Sequence, residues 1–111
     1  MTVPVRVLRR AQADIDHVYL WLRKRSTAGA VAWYAVLLHT LYDLGEGRAA
    51  HSVAPESAIF GVDLRQALFK TRHGRMYRLV FVIEDREIRV LRVRGPGQRP
   101  LSRRDLPADD E

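Results

Sequence analysis

Between Ala28 and Leu44 a single charged side chain, Asp43, interrupts a run with apolar groups on more than one face of any helix it forms. Such a helix must be sandwiched in a core or covered by a partner. Val31, Tyr34, Ala35, Leu38, Leu41 and Tyr42 make one stripe, with Trp33, Val36, Leu37 and Leu44 largely off it. Val31 to Leu38 would also suit a strand, but the length of the run favours a helix. So do its ends, with Ser26 or Thr27 as the N-cap and Gly45-Glu46-Gly47 as the stop. A second helix precedes it: Ala11, Ile15, Val18 and Leu22 recur three or four apart, with Tyr19 on the flank. Asp14 and Asp16 sit in its early turns and Arg23, Lys24 and Arg25 close it, as the helix dipole favours. Two helices so closely joined are expected to pack as an antiparallel hairpin.

The hairpin needs a second layer, and the rest of the chain supplies strands. Val3 to Leu8 reads as a short strand, with Pro4 at an edge because it lacks an amide donor. Residues 48–63, with Pro55 and Gly61, read as a loop in which Ala58-Ile59-Phe60 tucks into the core. Three strands are expected over Leu64–Lys70, Arg75–Ile83 and Glu87–Arg94, the last two joined by Glu84-Asp85-Arg86. Gly95-Pro96-Gly97 ends the sheet, and Leu101 to Leu106 is expected to form one helical turn. The order β-α-α-β-β-β predicts an α+β fold with the helical hairpin on one face of a small antiparallel sheet. Residues 1–106 make a single domain, and residues 107–111 an acidic C-terminal tail ending in Asp109-Asp110-Glu111.

With 47% hydrophobic residues in 111, a core is within reach without staples. The absence of cysteine excludes a disulfide framework, a thiolate metal site and a thiol nucleophile. No stretch has the length of a membrane span and MTVPVRVLRR lacks a signal-peptide core, so a soluble cytoplasmic protein is expected. His17, His39 and His51 have no ligand spacing, and neither a metal site nor a cofactor is expected. No nucleophile-elbow pattern surrounds a serine, and Gly95-Pro96-Gly97 lacks the helix and lysine of a phosphate loop.

Charge is unevenly spread. Residues 1–64 carry 7 basic and 6 acidic side chains, residues 65–104 carry 12 and 3, and residues 105–111 carry 4 acidic and none basic. Seventeen of the 19 basic residues are arginine, whose fork matches phosphate and carboxylate. Along the third strand, Tyr77, Leu79, Phe81 and Ile83 alternate with Arg78, Val80 and Val82. The bulky set is expected to meet the helices. With Ile83 opposite Ile88, Arg78 falls near Val93 and Val82 near Arg89. Arg78 and Arg89 then lie on an open face, joined by Arg65, Arg94 and Arg99 in a basic groove.

Tyr77-Arg78-Leu79-Val80-Phe81, the following hairpin and Ile88-Arg89-Val90-Leu91-Arg92-Val93-Arg94 resemble the RelE/ParE toxin superfamily, the plasmid stabilisation family of bacterial type II toxin–antitoxin systems. Ala13-Asp14-Ile15, Leu64-Arg65 and the order of elements extend the resemblance over residues 3–104. It implies a growth-inhibiting toxin neutralised by a cognate antitoxin. RelE-like members cut mRNA on the ribosome, and ParE-like members inhibit DNA gyrase. Carried over by position, Arg78 would stabilise phosphate charge in the nuclease branch, with Lys70, Arg72 and His73 the nearest further candidates. That branch presents a tyrosine, often with a histidine, beyond the last strand; Arg94 to Glu111 contain neither. Arginine stays charged and is a poor proton shuttle. The expectation is therefore a ParE-like toxin that blocks a macromolecular machine, with the ribosome-dependent endoribonuclease as the alternative. No membrane partner and no small-molecule cofactor are implied. Antitoxin contact is expected on the over-apolar second helix, at Trp33 and Leu37.

Overall fold

The computed structural model describes residues 2–106. β1 (Val5–Val7) leads into α1 (Arg9–Arg23), which buries Ala11 and Ile15 and half-buries Val18 and Leu22. α1 begins two residues before the expected Ala11, after Leu8 with no side-chain cap, so Asp14 and Asp16 lie beyond its first turn. α2 (Thr27–Gly45) starts at Ser26, whose hydroxyl oxygen accepts from the Gly29 amide at 2.9 Å. At its other end the Gly45 carbonyl accepts from Val3 N at 2.7 Å. A Cβ on Gly45 would stand 3.0 Å from the Val3 carbonyl oxygen, so β1 lies against bare backbone there. The chain turns away at Gly47, in the left-handed region at φ 75°.

α2 faces the sheet with the set of residues lying off the longer stripe. Trp33 and Leu37 are 2% and 0% exposed, whereas Val31, Leu38 and Tyr42 are 55%, 47% and 60% exposed. Trp33 packs its ring against Phe69 and Tyr77 at centroid distances of 5.8 and 5.4 Å. The expected antitoxin contacts Trp33 and Leu37 are thus core residues, and the outward face is the Val31–Tyr34–Leu38–Tyr42 stripe. Two nearly equivalent apolar faces leave rotation about the helix axis undecided in the sequence. The three-residue connection from α1 and the volume to be filled over the sheet decide it.

The sheet runs β1-β5-β4-β3-β2, with β2 (Ser52–Val53), β3 (Arg65–Phe69), β4 (Tyr77–Glu84) and β5 (Glu87–Arg94). β2 to β5 pair antiparallel, and β1 joins β5 in parallel, so the sheet is mixed. Pro4 sits just before that edge strand, and its carbonyl accepts from Ile88 N at 2.9 Å. Asp85 and Arg86, at φ 50° and 61°, form the two-residue hairpin loop between β4 and β5. Ile83 pairs with Ile88 and Val82 with Arg89, and then the register shifts between Val80 and Phe81. Phe81 pairs with Val90 and Val80 with Arg92, so Arg78 stands opposite Arg94 instead of Val93. The bulge has a physical purpose. Strict alternation after Ile88 and Val90 would drive Arg92 under the helices; the extra residue puts Val93 there, opposite Leu79.

The second face of the sheet is not open. Val80 and Leu91 are buried there with Leu8, Ala54, Leu64 and Leu101, and Phe60, Val82 and Leu106 pack against them. The cover is the loop carrying α3 (Ser57–Phe60) and the C-terminal segment with its 3₁₀ turn (Arg103–Asp105). Of Ala58-Ile59-Phe60 only Phe60 tucks in; Ile59 is 69% exposed. Val80, Val82 and Leu91 present too much apolar surface to water for a bare face, and the chain has segments free to cover it. The acidic tail, residues 107–111, lies outside the described residues. No helix among the described residues is long and apolar enough to cross a membrane.

Candidate functional site

Under the C-terminal segment, Arg78 meets a carboxylate. Its Nη1 donates to Glu56 Oε1 at 2.9 Å and to Gln66 Oε1 at 3.1 Å, and its Nη2 donates to Glu56 Oε2. Glu56 is 1% exposed, and its Oε2 also accepts from the Leu101 amide at 3.0 Å. A buried carboxylate persists only with its lone pairs satisfied, and here a guanidinium fork and a backbone amide satisfy them. The Arg78 hydrogen bonds outweigh the effect of burial and hold the Glu56 carboxyl below its ordinary 4.5, at about 2.

That shift fixes a direction for stability against pH. With the folded-state value depressed, the ion pair contributes fully above about pH 4.5, and its contribution is lost as pH falls through about 2. The linkage is worth about 3 kcal/mol. A series of thermal melts is expected to show a midpoint falling by about 10 °C or more over this interval, and a shallower fall in Glu56→Gln. Equal acid limbs in the two proteins would contradict the assignment.

The network continues along the C-terminal segment. Arg94, 6% exposed, stands opposite Arg78, and its Nη2 donates to the Arg99 carbonyl at 2.7 Å. Its Nε has no partner among the described residues. Burial, and next the nearby Arg92, push its pKa down. Arg99 grips Asp105 with Nη1 at 2.6 Å and Nη2 at 2.8 Å, which holds the Asp105 carboxyl well below its usual range. Asp105 Oδ2 also accepts from the Ser102 amide at 2.7 Å and hydroxyl at 2.9 Å. Arg92 donates to both oxygens of Asp14 on α1, at 2.8 and 2.9 Å. Asp14 Oδ2 accepts in addition from Val93 N at 2.9 Å, so α1 satisfies a sheet-edge amide beyond the end of β1.

The five arginines expected in a groove are therefore divided. Arg78, Arg94 and Arg99 share the network beneath and within the C-terminal segment. Arg65 lies toward the β2 edge, with Nε donating to His51 Nδ1 at 3.3 Å and Nη1 3.7 Å from Asp63. Arg89 lies at the β4–β5 hairpin end, held by Glu87 at 2.6 Å, Glu84 at 2.9 Å and Asp85 at 3.4 Å. Arg65 does not join the others on one face: it alternates with Ala67 and Phe69 on the helix side of β3, opposite Phe81. Arg65, Arg78, Arg89 and Arg99 are paired with carboxylates and Arg94 with a backbone carbonyl, so the five do not form one free positive surface. Lys70, Arg72 and His73 stand apart from these, exposed in the β3–β4 connection or at its start. Tyr77 packs between Trp33, Phe69 and Gly95, and burial raises its phenol pKa against the opposing pull of Arg75.

Glu56, Gln66 and Asp105 are the site residues that sequence reasoning did not single out. Asp105 had a signal, since Ser102 and Asp105 have the spacing of a capping box and form one. Glu56 had none: it lies 22 residues from Arg78 and 45 from Leu101, and no local pattern ties them. The fold and the site together define a small α+β domain whose second sheet face is locked by buried arginine–carboxylate pairs. Set against family models, curated proteins and solved structures, the chain has no match.

Proposed function

We propose that the chain is the toxin of a type II toxin–antitoxin system of the RelE/ParE kind, ParE-like, blocking a macromolecular machine in the bacterial cytoplasm. By resemblance that machine is DNA gyrase, and a cognate antitoxin neutralises the toxin. The observation that carries the ParE-like side is the commitment of Arg78. A nuclease would need that guanidinium free for a phosphate, yet both its Nη atoms are held by Glu56. Releasing it would leave a carboxylate buried without its counter-charge, which costs several kcal/mol. Beside it stand Glu56, held ionised, and Gln66, neither suited to shuttle protons at neutral pH. Arg78 acts in this reading as a structural residue.

The antitoxin contact moves to the outward face of α2. Val31, Tyr34, Leu38 and Tyr42 line it, and a groove formed with Tyr19 and Leu20 of α1 adjoins Tyr34. An amphipathic partner helix laid there would bury the apolar face that the sheet leaves uncovered. Two assays with the purified chain test the function. Gyrase supercoiling is expected to be inhibited, and a defined mRNA in a reconstituted translation reaction to stay intact by primer extension. Ribosome-dependent cleavage would establish the endoribonuclease reading instead, and unimpaired gyrase would remove gyrase as the target.

A further inference from the structure

Sorting the cations by partner changes where free positive charge lies. Arg65, Arg78, Arg89 and Arg99 are paired with carboxylates and Arg94 is held by a backbone carbonyl, whereas Lys70, Arg72 and Arg75 in and beside the β3–β4 connection have no carboxylate partner among the described residues. Arg75 lines a cleft of about 320 Å³ between α1 and the ends of β4 and β5. His17, Val18 and Trp21 face it from α1, and Tyr77, Gly95, Pro96 and Gln98 line the rest. No carboxylate lines it, in contrast to the sheet face.

Its groups are placed, and several of their polar atoms are unspent. Tyr77 is seated on Trp33 and Phe69, and a Cβ on Gly95 would stand 2.9 Å from its ring, so glycine lets the strand end close on the phenol. Among the described residues nothing hydrogen-bonds to the Tyr77 hydroxyl, the His17 imidazole or the Arg75 guanidinium. Gln98 Oε1 accepts from Gly95 N at 2.5 Å, which leaves the amide NH₂ of Gln98 to donate. Trp21 is 45% exposed, with Arg25 stacked 4.0 Å from its ring centroid. A ligand that uses all of this has a planar ring for the aromatic surface, acceptors for Tyr77 and Gln98, and an anion for Arg75. The volume lies at the small end of ligand pockets and suits one such unit.

We propose that this cleft binds a nucleoside phosphate, free or as one unit of a single-stranded nucleic acid, with its base against Trp21 and its phosphate at Arg75. Aromatic platforms beside unpaired cations are how single strands are held without regard to sequence. The site is separate from the Arg78 network and stands whether or not the chain is a toxin.

Fluorescence titration of the purified chain tests it with three probes: AMP, a single-stranded decanucleotide and the corresponding duplex. Saturable binding of AMP identifies a free-nucleotide site, and saturable binding of the decanucleotide alone identifies a strand-binding site. In either case Trp21→Ala and Arg75→Ala, both at exposed positions, are expected to weaken binding about tenfold or more, with Arg86→Ala at the far hairpin as a control that changes it less than about twofold. The proposal is overturned by no saturable binding of AMP or decanucleotide, by equal affinity for the duplex, or by equal losses in all three variants.

Discussion

Replacing Glu56 with alanine is expected to destabilise the fold by about 3–5 kcal/mol, near the upper limit for one side chain. The substitution removes the counter-charge of a largely buried Arg78 and the acceptor of the Leu101 amide together. Arg78→Ala is expected to cost less, because the stranded carboxyl can take up a proton as its pKa rises from about 2. The double variant Glu56→Leu, Arg78→Met discriminates between a network that stabilises and one that is merely satisfied. Removing a buried pair together and filling the volume is often neutral or better, so the double variant is expected to recover most of the loss. Urea denaturation of the four proteins reads this directly. A Glu56→Ala loss below about 1 kcal/mol would place the pair among weak surface ion pairs.

The second large effect lies on α2. Trp33→Ala is expected to cost about 3–5 kcal/mol and Leu37→Ala about 2–5 kcal/mol, because each empties a filled position between helix and sheet. Trp33 carries the larger consequence, since Phe69 and Tyr77 lose the ring that seats them. Leu38→Ala, one residue further and 47% exposed, is expected to change stability by about 0.5 kcal/mol or less. Thermal denaturation of the three variants checks the orientation of the helix. Similar losses at positions 37 and 38 would mean that both faces are covered in the folded chain.

These two regions show where the sequence stops being legible. On α1 the buried Ala11 and Ile15 were readable, because they recur with Val18 and Leu22 on one face. On α2 two apolar faces compete, and nothing local decides which meets the sheet. In the β4–β5 hairpin, Ile83 opposite Ile88 follows from the turn, but the shift at Val80 and Phe81 does not. That bulge is a compromise between strand alternation and the position of Arg92, and it exists only once the helices lie above the sheet. That Arg78 lies on the sheet face away from the helices was readable from its place among alternating apolar residues. Its function in the fold was not, because Glu56 is brought to it by a loop.

Periodicity, capping residues and turn chemistry determined the main elements and their order, since these are contests between neighbouring residues that the chain settles locally; β2 and α3 lie where a loop was expected. Ser26 capping α2 and the Glu84–Glu87 hairpin belong to that class. The tertiary structure alone decided which face of α2 is core, that β1 pairs in parallel with β5, that a second core covers the Arg78 face, and which cations are neutralised. Each of these depends on groups far apart in sequence competing for the same volume or the same charge, and the outcome is set by packing and desolvation, which no local pattern encodes.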